Sequence, residues 1–274
     1  MLSVNTNVGA MAALQSLNQT QVDLNTTQSH INSGLKVASA KDNGAVYAIA
    51  QNMRGNVAGY AAVSDSLNRG VSTVDVAISA GQSISDLLNE LKGKALAAAD
   101  SSLDTASRNA LNADFTALRD QITTIVQNAS FNGTNLVDGS TANFQALASS
   151  DGTKKITAAG QTLKLSGAIV TLKTTSTIST QAKASTMVST LNSSIQNVNA
   201  SLAKLASGSK KFSIQATFVS KLVDTLNAGI GNLVDADMAV ESAKLQSLQV
   251  KQQLGVQALS IANSAPSITL SLFR

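Results

Sequence analysis

The chain of 274 residues is predicted to be mostly α-helical: long antiparallel helices in a coiled coil or helical bundle, the N- and C-terminal helices paired, with a small β-hairpin segment at the outer end. Three observations predict this. Apolar residues recur with a 3,4 rhythm over most of the length, and Pro266 is the only proline. About 45 residues, 140–183, instead turn Ser/Thr/Gly-rich, with period two at Leu163, Leu165 and Ile169. The 3,4 rhythm lines up side chains on one helix face, a single breaker permits very long helices, and alternation marks strands.

The first helix is expected from about residue 4 to 35. Ala10, Leu14, Leu17, Leu24, Ile31 and Leu35 form a seam, with Gln21 and Gln28 at the intervening positions. Glycines at 34, 44, 55, 59 and 70 then predict a connector mixing short helix and extended chain. A second helix is expected from about Leu67 to Ala99, with Asp100, Ser101 and Ser102 as its stop and the next cap. Leu111, Phe115, Leu118, Ile122 and Ile125 define a third, ending at Asn128. The Asn132-Gly133 dipeptide that follows is a strong hairpin signal. From Val188 to Leu233 a fourth helix keeps its rhythm over some fifty residues, with Gly208, Gly229 and Gly231 as places to bend. Asp235 to Asp237 open the last helix, their carboxylates favourable beside free N–H groups. In that helix Leu245 and Leu248 start one stripe, whereas Val250, Leu254 and Ile261 form a second. A helix apolar on more than one side wants several partners.

The topology is helices out, a small β tip and helices back, so the chain has an inner and an outer end. Residues 1–40 and 236–274 are expected to form an inner terminal coiled-coil domain. Residues 41–139 and 186–235 form a helical bundle domain, and 140–185 a short β-rich outer segment.

Composition narrows the chemistry. Hydrophobic residues make up 43% but aromatics only 3%, with no Trp, which suits helix packing better than a ligand pocket. Cysteine is absent and His30 is the only histidine, so the usual zinc sites and a thiolate nucleophile are excluded. His30 lies in the first seam, where a structural role far outweighs a catalytic one. Asp235, Asp237 and Glu241 read as helix capping rather than acid/base chemistry. No HExxH, GxxxxGK[ST] or GxGxxG occurs, and sequons such as Asn128-Ala129-Ser130 are chance matches. No enzyme, cofactor or metal site is expected.

The N-terminus lacks a basic segment followed by an apolar one, and no window reaches the 18 or so apolar residues of a membrane span. Composition alone therefore reads as cytoplasmic unless another export route is used. Residues 152–223 hold nine Lys and no Asp or Glu, while the remainder has 11 basic and 16 acidic side chains. Such a basic middle in an acidic frame could meet an anionic surface, such as a neighbouring protomer's acidic face, an envelope or nucleic acid. Lysines scattered without Arg or aromatics are a weak nucleic-acid signature, so a solvated face is the simpler reading.

Three separated motifs carry a resemblance. Ser33-Gly34-Leu35-Lys36-Val37-Ala38-Ser39-Ala40-Lys41-Asp42 with Ala48-Ile49-Ala50 is one. Phe131-Asn132-Gly133-Thr134-Asn135-Leu136 is the second, and the third runs from Asp235-Ala236-Asp237-Met238 to Leu270-Ser271-Leu272-Phe273-Arg274. Their order and content resemble the bacterial flagellins over roughly residues 1–140 and 185–274. The resemblance implies a structural subunit of the flagellar filament, exported unfolded through the organelle, polymerising at its tip and extracellular. It implies homo-oligomerisation in many copies, an export apparatus and export chaperone, hook-associated and cap proteins, and sister flagellins as partners. Nucleic acid and membrane insertion are not implied. The terminal helices would surround the central channel, and the short middle leaves only a reduced outer element.

Members sensed by the vertebrate innate flagellin receptor carry an Arg and a Leu where this chain has Glu90 and Lys94, near the start of a helix, whereas Asp114 keeps the acidic partner position. Weak receptor activation is therefore expected. The terminal helices should be largely unfolded in the monomer and order on polymerisation. The polymerisation interface expected is Leu14, Leu17, Leu24, Ile31, Leu35, Leu245, Leu248, Leu254, Leu259 and Ile261. A hook-filament junction protein, or a non-flagellar coiled-coil adhesin, is the alternative.

Overall fold

The computed structural model describes residues 6–271, with side chains through Ser264. The Leu272–Arg274 end of the third motif thus lies outside the described residues. Five helices are seen: α1 Val8–Ser33, α2 Gly44–Ala98, α3 Thr105–Asn128, α4 Gln181–Val234 and α5 Met238–Ser271. Strands β1 Ser130–Phe131, β2 Thr134–Asn135, β3 Asn143–Leu147 and β4 Lys155–Ala159 lie between α3 and α4. By contact the chain divides into two compact units, residues 1–55 with 225–274, and residues 56–224.

In the unit of residues 56–224, α4 places Leu191, Val198, Leu205, Phe212 and Val219 at seven-residue intervals, each at most 1% exposed. Leu67, Val74, Ile84, Leu88 and Leu91 of α2 and Phe115, Ile122 and Val126 of α3 fill the same core. Each fully buried Leu, Ile or Phe is worth about 1.5–3 kcal/mol, so this unit has a core of its own.

The glycine-rich connector is confined to residues 34–43. α2 is one continuous helix of 55 residues, beginning at Gly44 rather than near Leu67. Two of its glycines mark close approach: a Cβ at Gly70 would lie 3.1–3.2 Å from the rings of Phe144 and Phe212, and one at Gly59 would meet Ser150 at 2.8 Å. A helix accepts a glycine at a cost near 1 kcal/mol, which packing offsets. α4 likewise runs unbroken through Gly208, Gly229 and Gly231. The cap of α3 is Asp104, whose carboxylate accepts the Ser107 N–H at 2.7 Å. Asp100 instead closes a turn onto Ser102.

The Asn132-Gly133 signal gives the β1–β2 hairpin, with Phe131 opposite Thr134 and both turn residues at positive φ, 48° and 78°. This is the pairing a type I′ turn demands. The 140–183 segment holds a single hairpin, β3–β4, with Asn143 opposite Ala159 and Leu147 opposite Lys155. Leu163, Leu165 and Ile169 are not in a strand. Leu163 and Leu165 are nonetheless buried, because the irregular chain is tied down by Leu163 N–H to Val137 O and Gly167 N–H to Val170 O. Burial without ladder pairing mimics alternation in sequence.

Candidate polymerisation interface

In the other unit, α1 packs antiparallel on α5. Asn7, the N-cap of α1, accepts the Ala10 N–H, and its Nδ2 donates to Ala262 O at 2.6 Å. Leu17 lies against Gly255, where an added Cβ would sit 3.2 Å from its Cδ1. Gln252 Nε2 donates to Gln21 Oε1 at 2.7 Å, and His30 Nδ1 lies 3.1 Å from Glu241 Oε1. These contacts fix the register from end to end. The half-buried or buried positions of α5 are Glu241, Leu245, Leu248, Gln252, Gly255, Leu259 and Ala262, an unbroken heptad.

On α1 the matching positions are Ala10, Ala13, Leu17, Thr20, Leu24, Thr27 and Ile31. This corrects the expected seam, which ran through Leu14, Gln21 and Gln28. All three are exposed, and the residues one position earlier take their place. The 3,4 spacing fits both phases. Ala13, Thr20 and Thr27 are small enough for close helix approach, while the two glutamines prefer water.

The ten expected interface residues therefore separate. Leu24 and Leu248, each 6% exposed, lie at the centre of the seam, and Leu17, Ile31, Leu245 and Leu259 are half-buried along it. Leu14, Leu254 and Ile261 point away from it, at 47%, 58% and 70% exposure. With them outside are Val8, Met11, Val22, Val250 and Val256, each more than half exposed. Adjacent apolar side chains on that scale mark a surface awaiting a partner. Among the described residues, Thr27 Oγ1 and Glu241 Oε2 are buried without a hydrogen-bond partner.

Leu35 belongs to a different feature. The connector after α1 and the one before α5 are knitted by backbone hydrogen bonds: Lys36 and Val37 N–H to Val234 O, and Ala236 N–H to Gly34 O. Leu35 and Asp235 form the bridge between them. The first motif builds this joint. Gly34 ends α1 in the left-handed conformation at φ 71°, which glycine adopts without strain. Asp42 Oδ2 accepts the N–H groups of Ser39 and Ala38, and those hydrogen bonds hold its carboxyl below the usual range. Of the expected carboxylate caps, Asp237 accepts from Ala239 and Val240, as a cap should. Asp235 serves the bridge and Glu241 faces His30, a pair whose 211-residue separation hid it from any local pattern.

Glu90 and Lys94 lie in the last turns of α2, not near a helix start. Lys94 Nζ is 2.7 Å from Asp114 Oδ2, and that hydrogen bond raises the ammonium pKa. Among the described residues no cluster of His, Asp and Glu could hold a metal ion, and no helix is long and apolar enough to cross a membrane.

A buried helical core and a terminal helix pair with apolar side chains left exposed define a helical structural protein. Comparison with known proteins gives the family. The models for the bacterial flagellin N-terminal and C-terminal helical regions match residues 4–142 and 188–273. Flagellin FljK of Caulobacter vibrioides is 56% identical over 99% of this chain and 98% of its own, and FljN of the same organism 57% over 99% and 98%. A flagellin of Brucella melitensis is 34% identical over the whole of both chains. In fold, the chain is similar to a solved structure described as a flagellar hook-associated protein from Vibrio parahaemolyticus, with a TM-score of 0.58 at 13% identity, covering 71% of this chain and 100% of that one. The chain belongs to the bacterial flagellins, a family of structural proteins.

Proposed function

We propose that this flagellin polymerises into the flagellar filament through α1 and α5, the pair turning its uncovered side chains onto neighbouring protomers. The exposure of Leu14, Leu254 and Ile261, with Val8, Met11, Val22, Val250 and Val256 beside them, on a helix pair whose seam buries Leu24 and Leu248, carries this reading. Ordering the terminal helices costs conformational entropy that a lone pair offsets poorly and many neighbours offset well. The helices accordingly order on assembly. Residues 1–40 and 236–274 form the inner layer, 41–139 and 186–235 the surrounding one, and 140–185 the outer element.

Electron microscopy of seeded subunits tests it, with a chain lacking residues 240–274 alongside. Filaments from the full chain and none from the truncation are expected; filaments from both would refute it.

In this reading the chain leaves the cell unfolded, helped by an export chaperone and the flagellar export apparatus, and meets hook-associated and cap proteins outside. The absence of cysteine and the single proline leave few slow covalent or prolyl steps before assembly. Sister flagellins share the filament, a reading supported by two comparably similar relatives from one organism. A second proposal concerns the innate receptor: Glu90 reverses the expected charge, and Lys94 occupies the Asp114 carboxylate that a receptor cation would need. Full potency of purified monomer on receptor-reporter cells would refute it.

A further inference from the structure

The lysine-only stretch gains a place in the structure of residues 56–224. Lys204 and Lys211, two helical turns apart on α4, flank a groove of about 420 Å³ against β4, lined also by Thr157, Gln161, Ser207 and Gly208. Both lysines are exposed, and neither has an ion-pair partner among the described residues. On α2 the reverse holds. Asp65 and Asp86 are exposed on the side opposite the buried Leu67, Val74, Ile84 and Leu88, Asp75 is exposed beside α4, and none is in an ion pair among the described residues. Asp75 accepts a hydrogen bond from Ser209, which leaves its charge uncompensated. No ion pair joins these lysines to these carboxylates among the described residues.

We infer that the Lys204–Lys211 groove docks on the acidic α2 face of a second copy of this chain, a contact that rests on the filament reading above. The contact is heterologous: one face meets a different face on the next copy, and each added copy presents a free groove and a free acidic stripe. Contacts of that kind propagate into open helical assemblies when the rotation does not close a ring. Opposite potentials of this sort act chiefly on encounter rate and register, and are screened beyond about 8–10 Å at physiological salt. The apolar terminal helices supply cohesion, and the charged faces select which neighbour docks and where.

The test is seeded filament growth at low salt and in about 0.5 M NaCl, followed by light scattering with electron microscopy. Three full-length chains are compared: wild type, K204E/K211E, and K204E/K211E/D65K/D86K. Circular dichroism melts confirm that all remain folded, as expected for exposed positions. The double reversal should slow low-salt elongation about tenfold, with the gap closing in high salt, and the combined swap should recover most of the rate. Equal elongation of the double reversal and wild type at low salt would overturn the inference and leave the filament reading standing. The inference also falls if the combined swap is as slow as the double reversal. Failure of wild type to elongate at all would remove both.

Discussion

The two compact units are built from the same residue types to opposite standards. Phe115, Phe212, Leu67, Ile84, Leu88 and Leu91, all in residues 56–224, are fully buried. In the unit of residues 1–55 and 225–274 the best-covered leucines, Leu24 and Leu248, keep 6% exposure. Among the described residues 14 large apolar side chains are exposed, and all but Leu96, Ile214 and Phe218 lie in this terminal unit. Burial is thus completed inside one unit and deferred in the other. An exposed leucine is a defect in a finished core and an address in an unfinished one.

Four variants would break or sharpen this contrast. The largest effect is expected from Phe212→Ala, which empties a fully buried site at the edge-to-face contact with Phe144, ring centroids 6.0 Å apart. It should cost the monomer about 3–5 kcal/mol in a denaturant melt. A loss below about 1 kcal/mol would mean that this core is not the stable body described.

Next comes Leu248→Ala, compared with the L254S/I261S pair. Leu248 contacts lie within the helix pair, so its truncation should destabilise filaments by about 2–3 kcal/mol per protomer, read as a lower dissociation temperature. Both variants should leave the monomer melt within about 0.5 kcal/mol of wild type, since neither site belongs to the monomer's stable core. L254S/I261S should raise the critical concentration for assembly by about 30-fold or more, each covered side chain being worth about 1–2 kcal/mol and each 1.4 kcal/mol about tenfold. A monomer melt shifted by Leu248→Ala would show that the terminal pair is formed before assembly.

The smallest effect is expected from Asp104→Ala at the start of α3. Hydrogen bonds from the Ser107 side chain and backbone N–H lower the pKa of the Asp104 carboxyl. Because the folded value is depressed, the stabilisation is present above the ordinary aspartate range near pH 4 and fades as pH falls through the folded value. Melts at pH 7 should place the variant slightly below wild type, with the difference vanishing near pH 2–3. A difference that persists in acid would assign it to helix propensity instead.

The sequence was legible where periodicity maps directly onto packing. Leu191 through Val219 read as a core stripe because seven-residue spacing leaves no other phase, and Asn132-Gly133 read as a turn because few residues tolerate two positive φ angles. The double stripe of α5 was also visible in Leu248 against Leu254. The phase of the α1 seam was not, since Leu14 looks more like core than Thr20 or Thr27 does. Hydrophobicity favours Leu there, but close helix approach favours small side chains. The 55-residue α2 was hidden because Gly59 and Gly70 speak for loops locally, and only Ser150, Phe144 and Phe212, distant in sequence, reveal why they sit in a helix. Pairings such as His30 with Glu241 had no local signal at all.

The joint at Leu35 and Asp235 sets an order of events. Its two strands are 200 positions apart, so closing it in an unfolded chain carries the loop-closure cost of nearly the whole sequence, and folding of residues 56–224 first would shorten that loop. A chain emerging N-terminus first holds Gly34 to Val37 in waiting until Val234 and Ala236 arrive. Pulse-labelled hydrogen exchange should find the Lys36 and Ala236 amides protected later than those of the Phe212 core. The signature residues around this joint thus act as a clasp that cannot close until almost the whole chain is present.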